Sequence, residues 1–280
     1  MADRFFTPGQ FAGKFNQEAL LAEEVYKRIL GSGFKEYAYA EFDAVFITDK
    51  KEKAEAFGTF LTGVYEAKVT GVEEKDGRWE LSADFPRFPL NQENLLCWAI
   101  DLLLKGYQFD CRLDGYGTFA NASNDEFPDE DGGRLPWYFE EALKAYNNGN
   151  YSTSIIYFTS AIRIFPENPN AWYSRGTAKD GIYLQQLARQ DYDKAIELAP
   201  VFVEAYINRA INKDITEEYD AALVDFSKAI ELDGNNATAY FNRGNTLHNM
   251  GNTTGACADW RKAKELGAAY AAEQLQLHCK

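Results

Sequence analysis

Aligned on itself at a period of 34 residues from Leu135, the second half of this chain falls into four units, 135–168, 169–202, 203–236 and 237–270. The fourth slot of each unit is a large aromatic: Tyr138, Trp172, Tyr206, Tyr240. The eighth is small: Ala142, Gly176, Ala210, Gly244. The twentieth reads Ser154, Ala188, Ala222, Ala256, and the twenty-fourth is aromatic again in Phe158, Tyr192, Phe226 and Trp260. The twenty-seventh is always alanine: Ala161, Ala195, Ala229, Ala263. A repeat of this length cannot bury its apolar face alone, so the units must stack. Each reads as two short amphipathic helices, with small residues where the axes approach and aromatics in the gaps. Pro166 and Pro200 close the first two units, and Gly234 and Ala268 take that slot in the others.

Turn chemistry separates the paired helices at Asn148-Gly149-Asn150 and Met250-Gly251-Asn252. In the second unit Tyr183-Leu184-Gln185 stands in that place, with Asp180-Gly181 offering an earlier turn, so its second helix is expected to start early. The tail Ala271–Lys280, carrying Leu275 and Leu277, reads as an end helix that shields the last unit. Arg175, Arg209 and Arg243 recur at the seventh slot, and Asp191, Asp225 and Asp259 at the twenty-third of the same units. The first unit has Glu141 and Tyr157 instead. Co-occurrence points to Arg–Asp pairs tying helices together in bidentate geometry.

Spacing and residue types together resemble the tetratricopeptide repeat. The resemblance implies a right-handed superhelix whose groove is lined by the first helix of each unit. The lining would be Phe139, Leu143 and Tyr146, then Tyr173, Ser174 and Thr177, then Ile207, Asn208 and Ile211, then Phe241, Asn242, Asn245 and His248. Asn carboxamides both donate to and accept from an extended peptide backbone, so a partner peptide or protein is the expected occupant. Some relatives clamp a C-terminal carboxylate with cations. Those slots hold Phe139, Asn170 and Glu204 here, which argues against such a clamp.

Residues 121–134 contain five carboxylates, one proline and two glycines, and read as an acidic linker. Before it, residues 16–30 show helical spacing, Tyr37–Thr48 reads as a strand and Lys50–Leu61 as a helix. Val64–Val72 and Arg78–Phe85 read as strands joined by the hairpin signal Asp76-Gly77. In the second of these, Trp79, Leu81, Ala83 and Phe85 alternate onto one face. Asn91 caps a helix through Leu104, and Tyr107–Ala120 supplies the last strand. A leading helix followed by βαββαβ gives a four-stranded antiparallel sheet backed by two helices, a ferredoxin-like α+β layer. The expected organisation is therefore an α+β domain at 1–120, a linker at 121–134 and an all-α repeat array at 135–280.

The stretch Leu113-Asp114-Gly115-Tyr116-Gly117-Thr118-Phe119, after a helix ending in Lys105-Gly106-Tyr107, resembles the closing motif of the regulator of ribonuclease activity B family. Those proteins are small acidic inhibitors of ribonuclease E. Tyr116 stands where the family usually has Trp, and the resemblance spans roughly residues 16–131. It implies a ribonuclease as second partner, met through Asp114, Gly115, Tyr116, Gly117 and Thr118 or through acids such as Glu73, Glu74 and Asp76. Physically, the glycines let a strand bend, and Asp114 is placed to cap a turn.

Lys and Arg total 29 against 43 Asp and Glu, a net charge of −14, which opposes broad nucleic-acid binding. Splitting at Arg134 gives 15 basic and 25 acidic residues before, 14 and 18 after. No apolar run suits a membrane span or a leader. Cys97, Cys111, Cys257 and Cys279 are far apart with only His248 and His278 beside them, so reduced cytoplasmic thiols are expected rather than a metal site. No phosphate loop, nucleophile elbow or metalloprotease motif occurs, and no cofactor is expected. The expected molecule is a non-enzymatic, cytoplasmic interaction protein. The alternatives are a plain repeat scaffold without inhibitory activity and, behind both, a hydrolase or nucleotide-binding enzyme. Either Phe127 or Trp137 is an aromatic able to pin the halves against the independent motion that an acidic linker suggests.

Overall fold

The computed structural model describes residues 4–118 and 131–279. It divides into two compact units, 1–166 and 167–280. The first opens with α1 (Pro8–Gly31), followed by β1 (Tyr39–Thr48), α2 (Lys51–Tyr65), β2 (Lys68–Lys75) and β3 (Arg78–Pro89). It continues with α3 (Gln92–Gln108), β4 (Arg112–Thr118), a single 3-10 turn at Gly132–Arg134, α4 (Leu135–Asn147) and α5 (Tyr151–Ile164).

The four strands form one antiparallel sheet in the order β2-β3-β1-β4. Asp76 and Gly77 join β2 to β3 with positive φ of 51° and 74°, as a two-residue hairpin turn matched to strand twist requires. Leu81, Ala83 and Phe85 are buried on one face of β3, with Trp79 half-buried beside them. The core is aromatic: Phe57 meets Phe46 at 4.8 Å and Phe109 at 5.1 Å, and Trp98 meets Phe42 and Phe85 at 5.2 Å each.

Most boundaries differ from the sequence reading by a few residues, such as β3 running on to Pro89, and three have a clear physical reason. α1 begins eight residues before the expected Asn16 because Thr7 and Gln10 form a reciprocal capping box ahead of Pro8. Val64 and Tyr65 finish α2 instead of starting a strand, since Tyr65 is buried as a helical residue and Glu66 ends the helix at φ 56°. Tyr107 likewise belongs to α3, and β4 starts only at Arg112 after Asp110 turns at φ 59°. The Asp110 carboxylate then fastens three segments at once. It accepts from the N–H of Phe5 at 3.0 Å and of Phe6 at 2.7 Å, and from Lys53 Nζ at 2.6 Å.

The expected linker lies outside the described residues as far as 130. Asp131 caps the 3-10 turn by accepting from Gly133 N at 3.0 Å. The hairpin α4–α5 belongs to the same compact unit as the sheet, docked through α5 on α3. Asp101 Oδ2 of α3 accepts from Ser152 N at 2.8 Å, placing a carboxylate on the positive end of α5. Asn150 Nδ2 donates to Val64 O at 3.0 Å, Lys105 lies over the Tyr151 ring, and Ile156 enters the aromatic core. Trp137, 41% exposed, lines a cavity together with Tyr39 and Glu66 of the α/β layer, and Phe127 is outside the described residues.

The second unit contains α6 (Pro169–Asp180), α7 (Gln185–Leu198), α8 (Val203–Ile215), α9 (Tyr219–Leu232), α10 (Ala237–Asn249), α11 (Thr253–Glu265) and α12 (Ala271–His278). Within it, helices pack as the pairs α6–α7, α8–α9 and α10–α11, each pair against the next. The second helix of every pair, α5 included, starts at the seventeenth slot, so α7 does not start early. The reason is at the fifteenth slot. Gly149, Tyr183, Glu217 and Gly251 all take positive φ (74°, 60°, 61° and 82°), and Tyr183 adopts the turn that glycine makes easily. α12 packs on α11, with Ala271 buried and Leu275 against the cluster that holds Trp260 and Ala263.

Candidate functional site

Each helix pair is held by two interlocking devices. The eighth and twenty-fourth slots match in size. Gly176 and Gly244 face Tyr192 and Trp260, where an added Cβ would meet ring atoms at 2.7 Å. The smaller rings Phe158 and Phe226 pair instead with Ala142 and Ala210. The second device is the expected Arg–Asp pair, present in all three units that carry both residues. Arg175 Nε and Nη2 donate to Asp191 at 2.9 and 2.6 Å, Arg209 to Asp225 at 2.8 and 2.6 Å, and Arg243 to Asp259 at 2.7 and 2.9 Å. Sequence reasoning missed the eleventh-slot lysines: Lys179 Nζ reaches Asp191 at 2.7 Å and Lys213 Nζ reaches Asp225 at 2.8 Å.

With packing met this way, the expected groove residues of the second unit retain surface. All except Ile207, which is buried, are half-exposed. Several of their polar groups are nevertheless engaged inside the repeat. Asn208 Nδ2 donates to Tyr173 Oη at 3.2 Å, Asn242 Nδ2 to Thr238 O at 3.0 Å, and Thr177 Oγ1 to Ser174 O at 2.8 Å. Asn245 Oδ1 accepts from Trp260 Nε1 at 3.0 Å. Tyr173 rests on Tyr192 and Phe202, Phe241 on Tyr270, and His248 between Trp260 and His278, while Ile211 packs beside Phe226. In the first unit, Phe139 meets Phe158 edge-on, Tyr146 meets Tyr151, and Leu143 is 49% exposed.

The first unit also carries a cavity of about 550 Å³, open to solvent on one side, that the sequence analysis did not anticipate. Its walls come from both the α/β layer (Tyr39, Tyr65, Glu66, Phe88, Trp98) and the hairpin α4–α5 (Trp137, Tyr138, Glu141, Tyr157). Burial pushes the Tyr157 hydroxyl above its ordinary value, and the Glu141 and Glu66 carboxylates add to the effect.

The Asp114–Thr118 motif lies on the edge strand β4. Val45 pairs with Gly115 and Phe46 with Leu113, so Asp114 is the extra residue of a bulge and pairs with Arg112 at 3.1 Å rather than capping a turn. Tyr116 packs edge-on against Trp98 at 5.4 Å, and burial raises both its hydroxyl and the facing Glu18 carboxyl. Thr118 Oγ1 donates to Glu41 O. Glu73, Glu74 and Asp76 stay exposed or half-exposed on the β2–β3 hairpin.

Cys257 and Cys279 form a disulfide, contrary to the four reduced thiols expected, because α12 folds back onto α11 across 22 residues. Cys97 and Cys111 are buried and take no part in a disulfide, and burial pushes the Cys111 thiol up to about 12. Among the described residues, no group of three or more His, Cys, Asp or Glu is arranged to hold a metal ion. Nor is any helix there long and apolar enough to cross a membrane.

The sequence model of a family described as TPR repeat matches residues 216–251, and one described as tetratricopeptide repeat matches 237–268. The C-terminal segment carries tetratricopeptide repeats. Among curated proteins, none matches the chain. Similar solved structures include the MamA protein, 21% identical over 52% of this chain and 85% of its own, with a TM-score of 0.46. YrrB, described as a TPR protein with an unusual peptide-binding site, is 20% identical over 64% of this chain and 82% of its own, with a TM-score of 0.47. The first TPR of Spaghetti, bound to an HSP90 peptide, is 21% identical over 43% of this chain and 96% of its own, with a TM-score of 0.42. The tetratricopeptide assignment of this chain rests on the family matches and on the slot pattern, which runs through four helix pairs.

Proposed function

We propose that the chain is a non-enzymatic protein-interaction molecule whose tetratricopeptide repeats hold an extended segment of a partner protein. One observation carries this reading. The residues at slots five, six and nine of α6, α8 and α10 keep solvent surface, Ile207 excepted, although the repeats are already locked by the Arg–Asp pairs and the matched eighth and twenty-fourth slots. Half-exposed Tyr173, Ile211 and Phe241 supply apolar contact, and Asn208 and Asn242, whose Nδ2 groups are engaged within the repeat, offer their side-chain oxygens as acceptors to an extended backbone. Phe139, Asn170 and Glu204 at the clamp slots favour a ligand held by its main chain and apolar side chains rather than by a terminal carboxylate. Selection of a displayed peptide library on the full chain tests this. Selected peptides should bind one to one and weaken at least tenfold on Asn208→Ala or Ile211→Ala. Peptides indifferent to both substitutions would remove the groove from the account.

The α/β layer belongs, on this reading, to the ferredoxin-like class, supported by its βαββαβ order and its strand order. It serves as a second protein-binding surface. The bulged Asp114–Thr118 strand and the exposed acids of the β2–β3 hairpin support the narrower reading that the partner is a ribonuclease with a basic surface. Slowing of ribonuclease E on a defined RNA by the full chain would uphold it. No slowing at high excess would leave a scaffold alone. The Cys257–Cys279 disulfide argues against the cytoplasm that the sequence suggested, since such bonds persist in oxidising compartments. Thiols of both residues that label in freshly lysed cells would restore the cytoplasm, and an intact bond would exclude it.

A further inference from the structure

One arrangement recurs in the second, third and fourth repeats. The seventh-slot arginine lies over the fourth-slot ring, its guanidinium carbon 4.9, 5.4 and 5.6 Å from the centroids of Trp172, Tyr206 and Tyr240. The twenty-third-slot aspartate fixes it there with two hydrogen bonds. The first repeat keeps the ring, Tyr138, but places Glu141 at the seventh slot and Tyr157 at the twenty-third. Its eleventh slot, a lysine in the second and third repeats, is Ala145. The cation is gone, and a carboxylate stands at the slot from which it would extend. Tyr138, Glu141, Ala145 and Tyr157 all line the cavity of about 550 Å³.

We propose that this cavity binds a guanidinium group, carried by an arginine side chain of a partner polypeptide or by a free alkylguanidine, in the position that the seventh-slot arginine fills in the other three repeats. The ring, the carboxylate and the room are the elements that hold a guanidinium elsewhere in this same chain, with the carboxylate moved from one helix to the other. Glu66, on the opposite wall, adds a second negative charge. Burial raises the Tyr157 hydroxyl, and both carboxylates add to that rise. A net charge of −14 draws cations toward the molecule as a whole. Aromatic faces and a half-exposed carboxylate together suit a planar cation. The cavity's own cations are all exposed. Lys144 pairs with Glu141 at 3.3 Å, Arg87 lies over Tyr39 and Arg134 over Trp137. They define the opposing outcome, an anionic ligand.

The test titrates the full chain with acetyl-Gly-Arg-Gly-amide, its citrulline counterpart, acetyl-Gly-Glu-Gly-amide and agmatine, by calorimetry and tryptophan fluorescence. The arginine peptide should bind one to one, and the citrulline peptide at least tenfold more weakly. Tighter binding of agmatine than of the arginine peptide would point to a free alkylguanidine, the reverse to a side chain. Glu66→Gln with Glu141→Gln should weaken arginine binding at least tenfold. Glu141→Arg with Tyr157→Asp installs the pair used by the other repeats and should abolish it, with thermal unfolding no lower than in the parent. Asn208→Ala should leave it unchanged, so this site and the groove stand or fall separately. Equal binding of arginine and citrulline peptides, a preference for the glutamate peptide, or indifference to the Glu66/Glu141 substitutions would overturn the proposal.

Discussion

At the scale of single residues, the repeats are set by charge pairs and by volume. Asp191 is almost fully buried and holds both Arg175 and Lys179. Removing one partner of a buried pair leaves uncompensated charge, so Asp191→Ala should cost about 3–5 kcal/mol in urea unfolding. Asp259→Ala should cost less, because Arg243 keeps 24% side-chain exposure and water replaces its partner. Gly244→Ala should cost about 1–3 kcal/mol through the clash with Trp260. In the double variant with Trp260→Phe the two losses should not add, since that combination recreates the alanine and phenylalanine of the first and third repeats. Asp110 gives a pH signature. Burial works against its ionisation, but the Lys53 ammonium and the N–H groups of Phe6 and Phe5 outweigh it and hold the carboxyl below its ordinary value of 3.8. A depressed carboxyl stabilises above its unfolded value and loses that contribution as pH falls below it. Asp110→Asn should therefore be less stable than the parent at pH 7, with the gap closing toward pH 3. The Arg–Asp pairs were legible because partners co-occur at fixed slots. Asp110 was not, because its partners lie 57 and over 100 residues away and no periodicity links them.

At the scale of elements, a 34-residue period carried most of the information. Repeated contacts are local, so the same slots report the same neighbours in every unit. Where a repeat replaces its turn residue, as at Tyr183, neighbouring packing overrides local preference and the helix starts on schedule. The α/β layer has no such redundancy, and its errors fall at element ends, where αL residues Glu66 and Asp110 stop helices without a glycine to mark them. Two ties between elements lay outside the pattern. α12 is tied to α11 by Cys257–Cys279, and a bond closing a loop of this size contributes about 2–4 kcal/mol. Cys257→Ser should lower stability by about that amount and speed amide exchange first in 271–278. α5 is tied to α3 by Asp101, whose carboxyl is raised by burial while Lys105 and the Ser152 N–H partly restore it. Asp101→Ala should strip a buried N–H of its acceptor and cost about 1–3 kcal/mol.

At the scale of the whole molecule, the repeat architecture supports a scaffold for protein–protein interaction. The cavity shows what composition alone conceals. Its walls come from residues a hundred positions apart, and the only trace in sequence is the first repeat's departure at Glu141 and Tyr157 from the pattern its neighbours keep. The groove was legible as a set of slots, but the commitment of Asn245 to Trp260 and of Asn242 to its own helix was not, since amides do not declare their partners. The central claim is that the inner faces of α6, α8 and α10 hold a peptide. Amide exchange of the full chain, with and without its tightest library-selected peptide, tests it most directly. The account predicts slowed exchange concentrated in those three helices and absent from the α/β sheet. Slowing confined to the sheet, or spread evenly over every element, would contradict it.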